Sequence, residues 1–292
     1  MRIALPPPRM PHEFNLRKQA DVFRLVYDPG QDQLLSPEPL GTGAYSRVHD
    51  PAYVYSVLYG GGRNGWGDSD QSKLHHVRWS CQAFVAACRS AVDGGGCVFA
   101  PVSGFHHAGY AHGGGYCTFN GLMLAAAVPE LSKPILIIDG DGHYGDGTEE
   151  LIVAHPKLNV TQLSLDKGAV RGSHELALRR IGKALAAEDW GLVMYQAGAD
   201  AHKDDPSKAG YLSDSEFYER DAVVFSACKA MGLPVVWNLA GGYNGRKTIA
   251  LHTSTFEQAL RVYEPGRTRL PASQDVLSGI LDQSGPPAAD PG

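Results

Sequence analysis

Short unbroken apolar runs alternate along the chain with longer stretches whose apolar positions recur at helical spacing. Residues 77–92 place Trp79, Phe84, Ala87, Cys88 and Ala91 at that spacing, and Gly94-Gly95-Gly96 ends the stretch. The following CVFAPVSG reads as a short buried strand entering a loop. Downstream, a helix over 120–127 leads to a strand over 134–138, and a helix over 148–154 to a strand over 160–165. Helices over 173–187 and 217–231 are likewise followed by strands over 191–195 and 234–239. Strands without polar alternation are buried on both faces, so the pattern predicts an α/β fold with a mostly parallel central sheet between helices. Residues 1–50 are broken by Pro6–Pro8, Pro29-Gly30, Pro37, Pro39 and Gly41-Thr42-Gly43 and read as loop, except for a strand at 21–27 (DVFRLVY). No boundary interrupts 15–262. One domain is expected over 1–283, with a flexible tail at 284–292 (SGPPAADPG).

Composition narrows the class. The 292 residues are 43% hydrophobic and 20% charged, as in an ordinary globular protein. A formal net charge of −5 weighs against a nucleic-acid partner, since such proteins carry a basic face. No apolar run approaches the ~18 residues of a membrane span, and the Pro-broken start lacks a signal-peptide core. The five cysteines are odd in number and form no C-x-x-C pair, so reduced thiols in a cytoplasm are expected. Any metal would then be held mainly by His and carboxylates.

In parallel sheets ligands sit beyond the carboxyl ends of the strands. The segments that follow the strands are GFHHAGYAHGGGYC, DGDGHYGDG, LDKG, QAGADAHKDDP and LAGGYN, and four of the five set His, Asp or Tyr among glycines. In DGDGHYGDG, Asp139, Asp141 and His143 are two apart and can face one side of an extended chain. A carboxylate and an imidazole so placed suit a divalent metal with N and O ligands; the alternative is a Gly-Asp surface turn. Gly140-x-Gly142-x-x-Gly145 also matches a dinucleotide fingerprint, with Asp166 near the ribose-ligand distance. That reading would put the Asp141 carboxylate beside a pyrophosphate, and it fails on electrostatics. Adjacent His106 and His107 can form a general base with a charge-tuning partner, whereas His75-His76 reads as a surface or core feature. The 197–206 loop offers a second carboxylate, and Tyr243 in the Gly-Gly turn offers a phenol that can hold an oxyanion.

Together GFHHA (104–108), GGYCTFN (114–120), DGDGHYGDG (139–147), GADAHKDDP (198–206) and GGY (241–243) resemble, in order, the motifs of the zinc-dependent histone deacetylase-like amidohydrolases, which include acetylpolyamine amidohydrolases. The resemblance covers about residues 45–262 and implies an arginase/deacetylase-like three-layer fold. It implies zinc held by Asp141, His143 and Asp205, tandem catalytic histidines His106 and His107 backed by Asp139 and Asp146, and a transition-state tyrosine at Tyr243. Gly115, Tyr116 and Cys117 would line the substrate pocket. A structural potassium would be held by Asp139, Ser164 and the main-chain carbonyls of Asp141, His143 and Leu165. The implied substrate is an acylated amine: acetyl-lysine, an acetylpolyamine or another small acylamine.

Loop length sets this chain apart from many members of the family. The loop after Ser164-Leu165 is short (166–172), which predicts an open pocket or one completed by a neighbouring subunit of a homo-oligomer. Asp68 and Asp70 near the rim could attract a cationic substrate or belong to a solvated loop. Two other functions remain: a non-catalytic acyl-amine binder, and a dimanganese ureohydrolase. The latter needs D-x-H-x-D, where this chain has Gly145 and places Asp146 one residue late.

Overall fold

The computed structural model describes residues 1–10, 12–127, 133–166 and 172–267. The expected tail at 284–292, the domain end at 283 and residues 167–171 of the short loop lie outside the described residues. In chain order the elements are β1 (Arg2–Ala4), α1 (Phe14–Val26), β2 (Gln33–Leu35), α2 (Thr42–Tyr45), α3 (Pro51–Tyr59), α4 (Gln71–Gly94), β3 (Cys97–Ala100) and α5 (Gly121–Ala126). They continue with β4 (Ile135–Asp139), α6 (Asp146–Ala154), β5 (Val160–Ser164), α7 (His174–Leu185), β6 (Leu192–Gln196), α8 (Asp214–Ala230), β7 (Val235–Asn238) and α9 (Gly245–Tyr263). The strands form one sheet in the order β2-β1-β3-β7-β6-β4-β5, and each neighbouring pair is parallel.

The unbroken apolar strands have a direct cause. Along β4, Ile135 and Ile137 pack into one core with α4 and α5, while Leu136 and Ile138 pack into a second core with α1, α7, α8 and α9. At β4 both sheet faces are dry, so no polar alternation survives there. Each such side chain, fully buried, contributes roughly 1.5–3 kcal/mol. Helix starts are held by side-chain caps: Asp70 for α4, Asn120 for α5, Ser173 for α7, and a Ser213/Glu216 capping box for α8.

The N-terminal region corrects the sequence expectation. Residues 21–27 are not a strand; they form the end of α1 and its C-cap. Buried Val22, Leu25 and Val26 continue a helical stripe that begins at Leu16, and this stripe packs against α9. The run DVFRLVY is too short to show that period by itself. The strands β1 and β2 and the helices α3 and α9 also went unread. Among the described residues, no helix is long and apolar enough to cross a membrane.

Candidate metal centre and active site

The strands β3, β7, β6 and β4 are neighbours in a parallel sheet, so the loops that follow them meet at one edge. Asp139 ends β4 in register with Gln196 of β6, and the Gly140 N–H donates to the Gln196 carbonyl at 2.9 Å. Two residues beyond Asp139 is Asp141. Four beyond Gln196, inside a 3-10 turn at Ala199–Ala201, is Asp200.

One ligand atom each from Asp141, His143 and Asp200 lies within 4.8 Å of the others. His143 Nδ1 is 3.1 Å from Asp141 Oδ1 and 3.0 Å from Asp200 Oδ2. Backbone donors aim both carboxylates: Gly241 N donates to Asp141 Oδ2 at 2.7 Å, and Gly142 N to Asp200 Oδ1 at 2.9 Å. Glycine is required where these loops close. A Cβ at Gly198 would lie 2.6 Å from Asp141 Cα, and one at Gly241 would lie 2.6 Å from Asp141 Oδ2.

The second carboxylate of this cluster differs from the one the resemblance implied. It is Asp200, not Asp205. Asp205 lies nine residues beyond Gln196, past the 3-10 turn, and its oxygens are engaged elsewhere. Its Oδ2 accepts from Tyr243 N at 2.8 Å and Asn244 N at 3.3 Å, and its Oδ1 accepts from Ser207 N at 3.0 Å. Asp205 therefore anchors the turn that carries Tyr243. Strand register separates the two carboxylates, and the local sequence does not carry it.

The tandem histidines follow β3 on a backbone that turns through Gly104 (φ 97°) and Phe105 (φ 94°). A positive φ costs a non-glycine residue energy, which the burial of the Phe105 ring against Phe84 offsets. His106 Nδ1 is 3.0 Å from Asp139 Oδ2, and His107 Nδ1 is 2.7 Å from Asp146 Oδ1. The two rings are 4.1 Å apart. His106 Nε2 reaches to 3.7 Å from Asp141 Oδ1. A Cβ at Gly115 would sit 2.5 Å from His107 Cδ2, so the 115–117 turn packs directly on that imidazole.

Electrostatics divide these groups. Burial works against a charged His106, yet the Asp141 and Asp139 carboxylates push it up to about 9. Burial and the His106 charge lower His107, against the pull of Asp146. Burial and the neighbouring Asp141 raise Asp200 to about 6, whereas His106 and His143 hold Asp141 well below the usual range in spite of its burial. Two buried carboxylates that repel each other beside an imidazole make a site that a cation relieves. Burial, then the Asp200 and Asp141 charges, keep Tyr243 protonated.

Tyr116 and Tyr243 rings lie 5.9 Å apart, and Trp66 meets Tyr116 edge-on at 5.8 Å. With Gly115 and Cys117 these rings line a pocket that reaches Asp141 and His106. Lys18, which the sequence did not single out, also reaches this region. Its Nζ donates to the Ala240 carbonyl at 2.7 Å and the Gly242 carbonyl at 3.2 Å, and it lies 5.7 Å from the Tyr243 ring centre. The rim acids do local structural work. Asp70 caps α4, and Asp68 takes Lys73 Nζ at 2.5 Å. Of the expected cation ligands, Asp139 and Ser164 are register partners. Leu165 N donates to the Asp139 carbonyl at 2.9 Å, and buried Ser164 Oγ finds no hydrogen-bond partner among the described residues.

Residues 12–169 and 160–259 match the histone deacetylase domain family. The chain is 28% identical over 288 residues to an uncharacterized protein of Picosynechococcus sp., covering 86% of this chain and 94% of that one. It is 25% identical over 294 residues to a probable deacetylase of Methanothermobacter thermautotrophicus, covering 86% of each. The crystal structure of an acetylpolyamine aminohydrolase from Burkholderia pseudomallei superposes with a TM-score of 0.69 at 19% identity, over 90% of this chain and 99% of that one. These matches agree with the parallel sheet and its loop motifs: the chain belongs to the histone deacetylase domain family.

Proposed function

We propose that the protein is a zinc-dependent amidohydrolase that removes an acyl group, foremost acetyl, from an amine. The observation that carries this reading is the Asp141–His143–Asp200 cluster beside two histidines, each backed by its own aspartate. Two carboxylates and one imidazole offset the charge of Zn²⁺ and suit its preference for N and O ligands. A zinc ion held there supplies Lewis acidity toward the acyl carbonyl and lowers the pKa of an attacking water.

The chain's own groups supply the rest. Asp146 occupies His107 Nδ1, which leaves Nε2 as the atom that takes the proton of the attacking water and hands it to the leaving amine. Its lowered pKa keeps it in the basic form near neutral pH. Asp139 holds His106 at Nδ1, which leaves His106 Nε2 on the Asp141 side of the cluster. Tyr243 O–H, held protonated, is placed to donate to the tetrahedral oxyanion. Ser164 Oγ, buried and unpartnered among the described residues, supports a monovalent cation, potassium foremost, with Asp139, Leu165 and the carbonyls of Asp141 and His143. Five unpaired, buried cysteines support a reducing, cytoplasmic setting.

The test is a metal-defined turnover assay over acetyl-lysine peptides, acetylpolyamines and small acetamides. Metal-stripped protein should be inactive and recover with about one equivalent of zinc. Undiminished turnover after rigorous metal removal overturns the reading.

A further inference from the structure

A buried arginine lies behind the carboxylate loops. Arg220, on α8, is 1% exposed, and its guanidinium packs 4.1 Å from the Phe217 ring centre. Nε and Nη2 donate to Asp221 Oδ1 at 3.0 and 2.9 Å. Asp221 is in turn held by the Tyr195 hydroxyl and by Thr255 Oγ1 at 2.6 Å. The ion pair is complete with these groups, but Nη1 does something else. It donates to the Gly140 carbonyl at 2.8 Å and the Gly198 carbonyl at 3.3 Å. Gly140 immediately precedes Asp141, and Gly198 stands two residues before Asp200.

We propose that Arg220 is a positioning residue for the metal centre, setting the separation of the Asp141 and Asp200 carboxylates by clasping the carbonyls of Gly140 and Gly198. Stability alone is a poor reason for this residue, because a buried ion pair is often no better than apolar side chains of the same volume. Charge is no better a reason, because Asp221 cancels the guanidinium and a cation nearby would oppose metal binding. The planar fork explains the choice: one end is fixed by Asp221, so the other presents an N–H at a set place between two loops. Lysine, with a single ammonium, cannot hold Asp221 and both carbonyls in that geometry.

This inference rests on the metal-centre reading, and the experiment separates the two. Co²⁺ and Zn²⁺ affinities are measured by chelator competition on the full chain, with Co²⁺ ligand-field spectra, for wild type, Arg220→Lys and Arg220→Gln. Leu185→Ala, a buried α7 change away from these loops, serves as the comparator of lowered stability. The Arg220 variants should lose about 10- to 100-fold in metal affinity, the usual scale for groups that orient ligands, with altered Co²⁺ spectra and unchanged KM. Leu185→Ala should lose thermal stability and keep wild-type affinity. Folded Arg220 variants that bind metal within twofold of wild type, or an equal affinity loss in Leu185→Ala, overturn the role of Arg220. Wild type that binds neither ion overturns the metal centre itself.

Discussion

The two ends of the candidate site are built on different terms. At the carboxylate end, Asp141 and Asp200 are wedged against glycines that tolerate no side chain, and the loops behind them are held by an arginine whose charge is matched by Asp221. At the tyrosine end, the Ala240–Tyr243 turn contains a non-glycine residue at positive φ (Ala240, 50°) and hangs from Asp205 and from Lys18. Burial lowers Lys18 to about 8 in spite of the attraction of Asp200, Asp141 and Asp205. One end is therefore closed in by glycines and anchored by an arginine that keeps its charge, while the other is held by a lysine that titrates within the working range. On the proposed reading, a metal cluster demands a fixed geometry, whereas a tyrosine that serves as oxyanion donor is placed by hydrogen bonds that can weaken without dismantling the site.

The largest effects should separate the two ends outright. Asp200→Ala should abolish metal retention and turnover together. Tyr243→Phe should keep one metal per chain while kcat falls about 10²- to 10³-fold, as for loss of one oxyanion donor. Metal analysis beside steady-state kinetics distinguishes them, and a Tyr243→Phe protein without metal would erase the contrast.

Asp205→Ala comes next. Metal content should match wild type, with kcat lowered about tenfold because the Tyr243 turn loses its backbone acceptor. Loss of metal in this variant would instead return Asp205 to the ligand set.

A pH profile sharpens the comparison further. Lys18 is charged below about 8 and neutral above, so wild-type kcat should decline on the alkaline side as its hold on Ala240 and Gly242 weakens. Lys18→Arg, charged throughout, should lack that limb while metal affinity stays unchanged.

The smallest effect concerns stability. His49 is buried and pushed down to about 4; its Nε2 accepts from Asn120 N and its Nδ1 donates to the Gly109 carbonyl, tying both ends of the histidine loop. A depressed folded pKa means the unfolded chain binds more protons between about 6.5 and 4. Stability is thus full above 6.5 and is lost as pH falls through that window, by about 3 kcal/mol. Denaturant titrations should show this loss in wild type and a shallower slope in His49→Gln.

What was legible in the sequence was whatever burial writes locally. Strands dry on both faces leave unbroken apolar runs, so β3, β4, β6 and β7 and the helices between them could be read, and the loops after them could be read as the place for chemistry. The Asp139-x-Asp141-x-His143 spacing and the His106-His107 pair likewise sit in consecutive residues. Tertiary structure alone decided the rest. The choice of Asp200 over Asp205 follows from β4–β6 register, a relation between segments far apart in the chain. In the sequence Lys18 falls in a stretch read as loop, and Arg220 stands on a helix between Glu219 and Asp221, so neither charge stands out. They become buried anchors only because folding brings carbonyls of remote loops to their tips, and no local pattern records where another strand's carbonyl will lie.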